Sequence, residues 1–170
     1  GIIAKHNIGE RAAYLKQLVA ELKKYKKEIL FDEYSGPIVR APEILERTKL
    51  LSRADLVIVL GGDGTLLKTA RHMGKKRPLI AGVNMGTLGF LTAFTPQKLL
   101  SNLQRVLEGK FCEDERSLLR VTLYRDGKKI GEWAQPLRRN LKNERKPSKI
   151  RDVDSYEMTS VYEEIDGARC

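Results

Sequence analysis

Histidine and cysteine are almost missing from this chain: His6, His72, Cys112 and Cys170 are the whole complement in 170 residues. Cys112 lies among acidic residues, Cys170 comes last, and both imidazoles stand far from either in sequence. Neither a disulfide framework nor a structural zinc site is therefore expected. Long apolar runs are missing too: none approaches the roughly 20 residues that a membrane-spanning helix requires. No charged, apolar, small-residue leader opens the chain, so the expectation is a soluble, cytoplasmic protein without a membrane partner. Two phosphate-binding signatures are also lacking, the Gly-x-Gly-x-x-Gly fingerprint of dinucleotide sites and the Gly-x-x-x-x-Gly-Lys-Ser/Thr loop. Acidic charge is in short supply, leaving a formal net charge of +10 that gathers at Lys23, Lys24, Lys26 and Lys27 and again from Arg138 to Arg151. No zinc-finger, aromatic RNA-binding or basic-zipper pattern accompanies this excess. That weighs against nucleic acid and suits an enzyme handling polyanionic nucleotides.

The chain is 41% hydrophobic, enough for one domain with a sizeable core, or for one domain and part of another. Ile2-Ile3-Ala4 reads as a first strand. Ala12, Leu15, Leu18, Val19, Leu22 and Tyr25 fall at helical spacing and end in lysines that suit the negative end of a helix dipole. Ile29-Leu30-Phe31 reads as a second strand, broken by Ser35-Gly36-Pro37, and Pro42 is expected to open a helix through Ile44 and Leu45 toward Leu50. Asp55 to Val59 and Leu79 to Val83 are unalternating apolar runs, the pattern of parallel strands covered on both faces. Leu66 to Met73 lies between them as a helix. Thr95-Pro96 caps another, with Leu99, Leu100, Leu103, Val106 and Leu107 as its apolar face and Gly109 as its stop.

Beyond Gly109 the period changes. Leu119, Val121 and Leu123 alternate with polar residues, and Asp126-Gly127 marks a hairpin before Ile130 and Trp133. The expected fold class is α/β: a Rossmann-like open parallel sheet with glycine-rich turns at strand ends, followed by the incomplete start of an antiparallel β domain. The expected division is 1–110 for the nucleotide-binding domain and 111–170 for the second. From Gln135 onward the pattern is lost, so the tail is expected to be disordered, covered by another copy, or part of a longer functional unit.

Chemistry concentrates in two turns. Leu60-Gly61-Gly62-Asp63-Gly64-Thr65-Leu66-Leu67-Lys68 follows one buried strand, and Asn84-Met85-Gly86-Thr87-Leu88-Gly89-Phe90-Leu91 follows the next. Both should emerge at the edge where open α/β sheets bind ligands. Glycines there let phosphates approach the backbone. Asp63, read as an unpaired carboxylate at the apex of a tight turn, would repel a phosphate, so it is expected to accept a proton or hold a metal ion. Lys68 could pair with a phosphate, and Thr65 either joins the site or serves only as a hydrogen bonder at the helix start. Asn84 suits a ribose or a base edge, while Phe90 is either packing or a plate for an adenine.

These two motifs together resemble the NAD kinase family. The first is shared in kind with diacylglycerol, sphingosine and 6-phosphofructokinases; the second is much more specific. Glu113-Asp114-Glu115-Arg116-Ser117-Leu118-Leu119 is also similar to the segment joining the family's two domains, and the likeness runs from residue 1 to about 133. It implies phosphorylation of the adenosine ribose 2'-hydroxyl of NAD to NADP, with ATP or polyphosphate as donor and Mg2+ as cofactor, in a homodimer or homotetramer. By the family's pattern Asp63 is the catalytic proton acceptor, with no metal ligand assigned. Gly61, Gly62, Asp63, Gly64, Thr65, Lys68, Asn84, Gly86, Thr87 and Phe90 would bind the nucleotides. Where relatives carry Ala-Leu-Asn with Glu or Asp next to it, this chain has Ala134-Gln135-Pro136-Leu137-Arg138-Arg139, although Lys146-Pro147-Ser148-Lys149-Ile150 again resembles the family's sequence just past that dyad. Neither residue of the dyad carries over, and the family's Thr-Gly-Ser-Thr-Ala-Tyr segment is not in the sequence. Alternatives are a lipid or sphingoid kinase of the same superfamily, or a nucleotide-binding fragment without turnover.

Overall fold

The computed structural model describes residues 1–86, 89–125, 128–136 and 150–162. Three short parallel strands form its centre: β1 (Ile2–Ala4), β2 (Leu56–Gly61) and β3 (Leu79–Asn84), with Ile3 opposite Val59 and Val59 opposite Gly82. Parallel neighbours need crossovers, and helices provide them. α1 (Ala12–Lys24), α2 (Gly36–Val39) and α3 (Arg47–Arg53) lie between β1 and β2, and α4 (Asp63–Arg71) lies between β2 and β3. α5 (Pro96–Leu107) comes after β3, capped by Thr95, whose Oγ1 accepts the Lys98 amide at 3.3 Å.

Successive residues of a strand face opposite sides, and the core divides accordingly. Ile58 and Leu60 join Leu15, Leu18 and Leu22 of α1 and Leu99, Leu103 and Val106 of α5 on one face. Val57 and Val59 join Leu50 and Leu51 of α3 and Leu66 and Ala70 of α4 on the other. Each of the Leu, Ile and Val side chains contributes about 1.5 to 3 kcal/mol by leaving water, and the double covering is why β2 reads as an uninterrupted apolar run. The sheet is open and Rossmann-like, as expected.

Antiparallel β4 (Cys112–Arg125) and β5 (Lys128–Pro136) form the expected hairpin, with Val121 opposite Trp133 and Arg125 opposite Lys128. Its turn residues, Asp126 and Gly127, lie outside the described residues.

Five expectations need correction. Ile29–Phe31 forms no strand: only an isolated parallel bridge joins Phe31 to Ile2. The Asp32 carboxylate accepts the Tyr34 and Ser35 amides, at 3.3 and 2.8 Å, and turns the chain into α2. A side chain that captures nearby amides in this way competes with strand extension. Pro42 opens no helix either, because Leu45 donates its amide to Phe31 O at 2.9 Å and stays extended until α3 starts at Arg47. α4 begins at Asp63 with Gly62 as its N-cap, so Asp63 sits in the first turn of a helix instead of at a loop apex. Of the three readings of the tail, disorder fails over part of it: β6 (Ile150–Tyr162) is a strand, antiparallel to β4 and meeting β3 at Ile80 and Ser160, so the sheet order is β1-β2-β3-β6-β4-β5. Cys112 is buried and disulfide-bonded.

Candidate functional site

The carboxyl ends of β1, β2 and β3 share one edge, and a cleft of about 440 Å³ opens there. Gly61 and Gly62 line it from the end of β2, and Asn84, Met85 and Gly86 from the end of β3. Lys5, Asn7, Ile8 and Arg11 complete it from the segment after β1. Its described lining holds two cations and no carboxylate. The start of α4 borders it at Gly62, and with the Asp63 carboxylate in that first turn it is the two cations of the lining that favour an anion.

Backbone contacts fix this edge. Lys5 donates its amide to Leu60 O at 2.8 Å and Met85 donates to Gly61 O at 3.0 Å, tying the three strand ends together. A Cβ on Gly61 would run into the Thr65 side chain, so glycine here lets α4 begin directly beneath the strand. Thr65 is buried under that glycine and belongs to the helix packing. Asn84 is buried, and its Oδ1 accepts the Gly86 amide at 2.8 Å, which shapes the second turn.

Asp63 joins the two turns. Its Oδ2 accepts the Phe90 amide at 2.8 Å and its Oδ1 accepts the Leu91 amide at 3.0 Å. The carboxylate expected to be unpaired is thus held on both oxygens, and the second turn folds back onto the start of α4. Gly89 makes this approach feasible: a Cβ there would collide with Asp63 Oδ1 and lie 2.9 Å from both Asp63 Cγ and Thr92 Oγ1. Gly89→Ala is expected to push the turn away from Asp63, lowering stability by about 1 to 3 kcal/mol as overpacking does. A thermal melt reads that loss directly; an unchanged midpoint would contradict the close approach.

The remaining predicted residues spread around this centre. Gly64 and Lys68 are exposed on α4, and neither lines the cleft. Phe90 is 74% exposed, a large apolar ring presented to solvent beside Asp63. Thr87 lies outside the described residues. Lys5, Asn7 and Arg11 escaped sequence reasoning because no glycine signature surrounds them. The signal to be had was their position after the first strand of a parallel sheet, at the edge where its ligands bind.

The donor set for a divalent cation is sparse. No cluster of three His, Cys, Asp or Glu side chains occurs among the described residues, and the oxygens of Asp63 already accept two amides. Among the described residues, therefore, no protein cage for magnesium is formed.

Residues 1–111 match the family model of the ATP-NAD kinase N-terminal domain. The chain belongs to the ATP-NAD kinase family. An NAD kinase of Saccharophagus degradans is 37% identical over 134 residues, covering 78% of this chain and 46% of that protein. One from Geotalea daltonii is 47% identical over 85 residues, covering 50% of this chain and 30% of that protein. The chain thus spans about half the length, or less, of the curated NAD kinases it matches. Among solved structures, yeast NADH kinase complexed with NADH superposes with a TM-score of 0.58 at 18% identity, covering 78% of this chain and 45% of that one. At that identity the likeness bears on the fold alone, and it agrees with the open sheet described above.

Proposed function

We propose that this chain carries the nucleotide-binding half of an NAD kinase, an enzyme that transfers a phosphoryl group from ATP or polyphosphate to the adenosine ribose 2'-hydroxyl of NAD. The observation that carries the reading is the seat of Asp63, fixed by the Phe90 and Leu91 amides at the start of α4 beside a cationic cleft. In the proposed reaction the 2'-oxygen attacks the terminal phosphorus of the donor. The new O–P bond forms as the bond to the leaving group, ADP or a polyphosphate one unit shorter, breaks, and the hydroxyl proton passes to Asp63. Lys5 and Arg11 would receive donor phosphates, and Phe90 would stack on the adenosine. The division at about residue 110, a cytoplasmic location and a homodimeric or homotetrameric assembly belong to the same proposal, the last of these open to light scattering.

The test is NADP formation by the purified protein from NAD, with ATP or polyphosphate and magnesium. NADP should appear, and Lys5→Ala with Arg11→Ala should raise the KM for donor about tenfold or more, the loss of charge-assisted contacts. Tight NAD binding with no turnover would mark a binding module instead. Transfer to a lipid or sphingoid acceptor but not to NAD would favour the related lipid kinases.

A further inference from the structure

Thr92 is one of two described residues with a buried side-chain oxygen that has no hydrogen-bond partner. The residue is 7% exposed, in a place where valine would fill the same space. A buried hydroxyl left unpaired is destabilising, so its presence calls for a partner in another state of the site. Its orientation is read from two glycines: Cβ atoms on Gly82 and Gly89 would meet Thr92 Cγ2 at 3.4 Å and Thr92 Oγ1 at 2.9 Å. The methyl thus packs against β3, and the hydroxyl faces the space over Gly89. That same space is bounded on its other side by the Asp63 carboxylate, whose Oδ1 is the nearest atom to it.

We propose that Thr92 is a positioning residue for Asp63, an inference that rests on the proposed phosphoryl transfer to NAD. When substrate seats the second turn, a small shift brings the Thr92 hydroxyl onto Asp63 Oδ1, where it donates a hydrogen bond beside the Leu91 amide. Oδ1 is then held from two directions, and Oδ2 is the oxygen that takes the proton of the ribose hydroxyl. Thr92 touches no substrate and exchanges no proton with it; it aims the group that does.

Two variants test this. Thr92→Val removes the hydroxyl and keeps the shape, whereas Thr92→Ser keeps the hydroxyl and removes a methyl. For Thr92→Val we expect a melting temperature at or above that of the parent, since an unpaired group has been removed. Its kcat should fall about tenfold to hundredfold, the range for a lost hydrogen bond to a charged group, with KM for NAD within about twofold. Thr92→Ser should retain kcat. A purely structural threonine would give the reverse pattern, a lower melting temperature and an unchanged kcat, and either of those results would overturn the proposal. A parent protein that makes no NADP under any condition would instead remove the kinase reading, and Thr92's role in it would go too.

Discussion

Asn in place of Asp63 is expected to lower the rate of NADP formation by about 100- to 10,000-fold, the range over which a positioned general base contributes. The geometry adds a second consequence. Two backbone amides donate to the carboxylate, one to each oxygen, and Asn offers only one oxygen. Its NH2 group must face an N–H of Phe90 or Leu91, so one donor is left without an acceptor and the second turn loosens. A stability loss of about 1 to 3 kcal/mol is expected from that mismatch. Gly89→Ala separates the two effects, because it displaces the same turn while keeping a carboxylate at position 63. If proton acceptance is the role of Asp63, Asp63→Asn should lower kcat at least tenfold further than Gly89→Ala does, at comparable loss of stability. Equal losses would reduce Asp63 to a structural tie between the turns, and near-parental turnover in Asp63→Asn would end its assignment as base.

The two-faced strands were open to reading because burial on both sides leaves no polar position: Val57, Ile58, Val59 and Leu60 are all buried. α1 and α5 were equally plain, since one apolar stripe of each packs on the same core. What failed depended on partners distant in sequence. Phe31 ends its pairing because Asp32 turns the chain, and nothing in Ile29-Leu30-Phe31 itself announces that capture. β6 escaped notice because Ile150, Val153, Tyr156, Met158 and Val161 do not keep a period of two. In the site, glycines advertised the two turns and the sheet rule put them on one edge. That Asp63 is clasped by amides nearly thirty residues on, at Phe90 and Leu91, is a fact of tertiary structure without a local signal. The same holds for Lys5 and Arg11, ordinary cations until the end of β1 brings them to the cleft.

The largest loss of stability is expected at this same end of β1. Asp32 is fully buried, and Arg47 Nε and Nη2 reach its Oδ2 at 3.1 and 2.9 Å. Its Oδ1 accepts from Ser35 Oγ at 2.7 Å and from the Ala4 amide at 3.3 Å, and Arg47 Nη2 donates to Ala4 O at 2.9 Å. The ion pair therefore holds both backbone groups of the last residue of β1, from which Lys5 and Asn7 enter the cleft. Arg47 also lies over the Tyr34 ring, 5.0 Å from its centroid, and Tyr34 meets His6 edge-on at 5.1 Å. Arg47→Met keeps much of the volume but strands a buried carboxylate, with Glu33 as a second negative group nearby, 3.5 Å from the guanidinium it would lose. Removing one partner of a buried pair costs about 3 to 5 kcal/mol, a melting-temperature drop of roughly 6 to 20 °C for a chain of this size. Asp32→Asn combined with Arg47→Met should be less destabilised than Arg47→Met alone, because the uncompensated charge has gone, and the cycle should show a coupling of about 1 to 3 kcal/mol. Arg47→Met is further expected to raise the donor KM, since Lys5 loses its anchor before the cleft. An Arg47→Met protein as stable as the parent, or a double variant whose loss equals the sum of the singles, would show that the pair neither supports the fold nor holds the strand end.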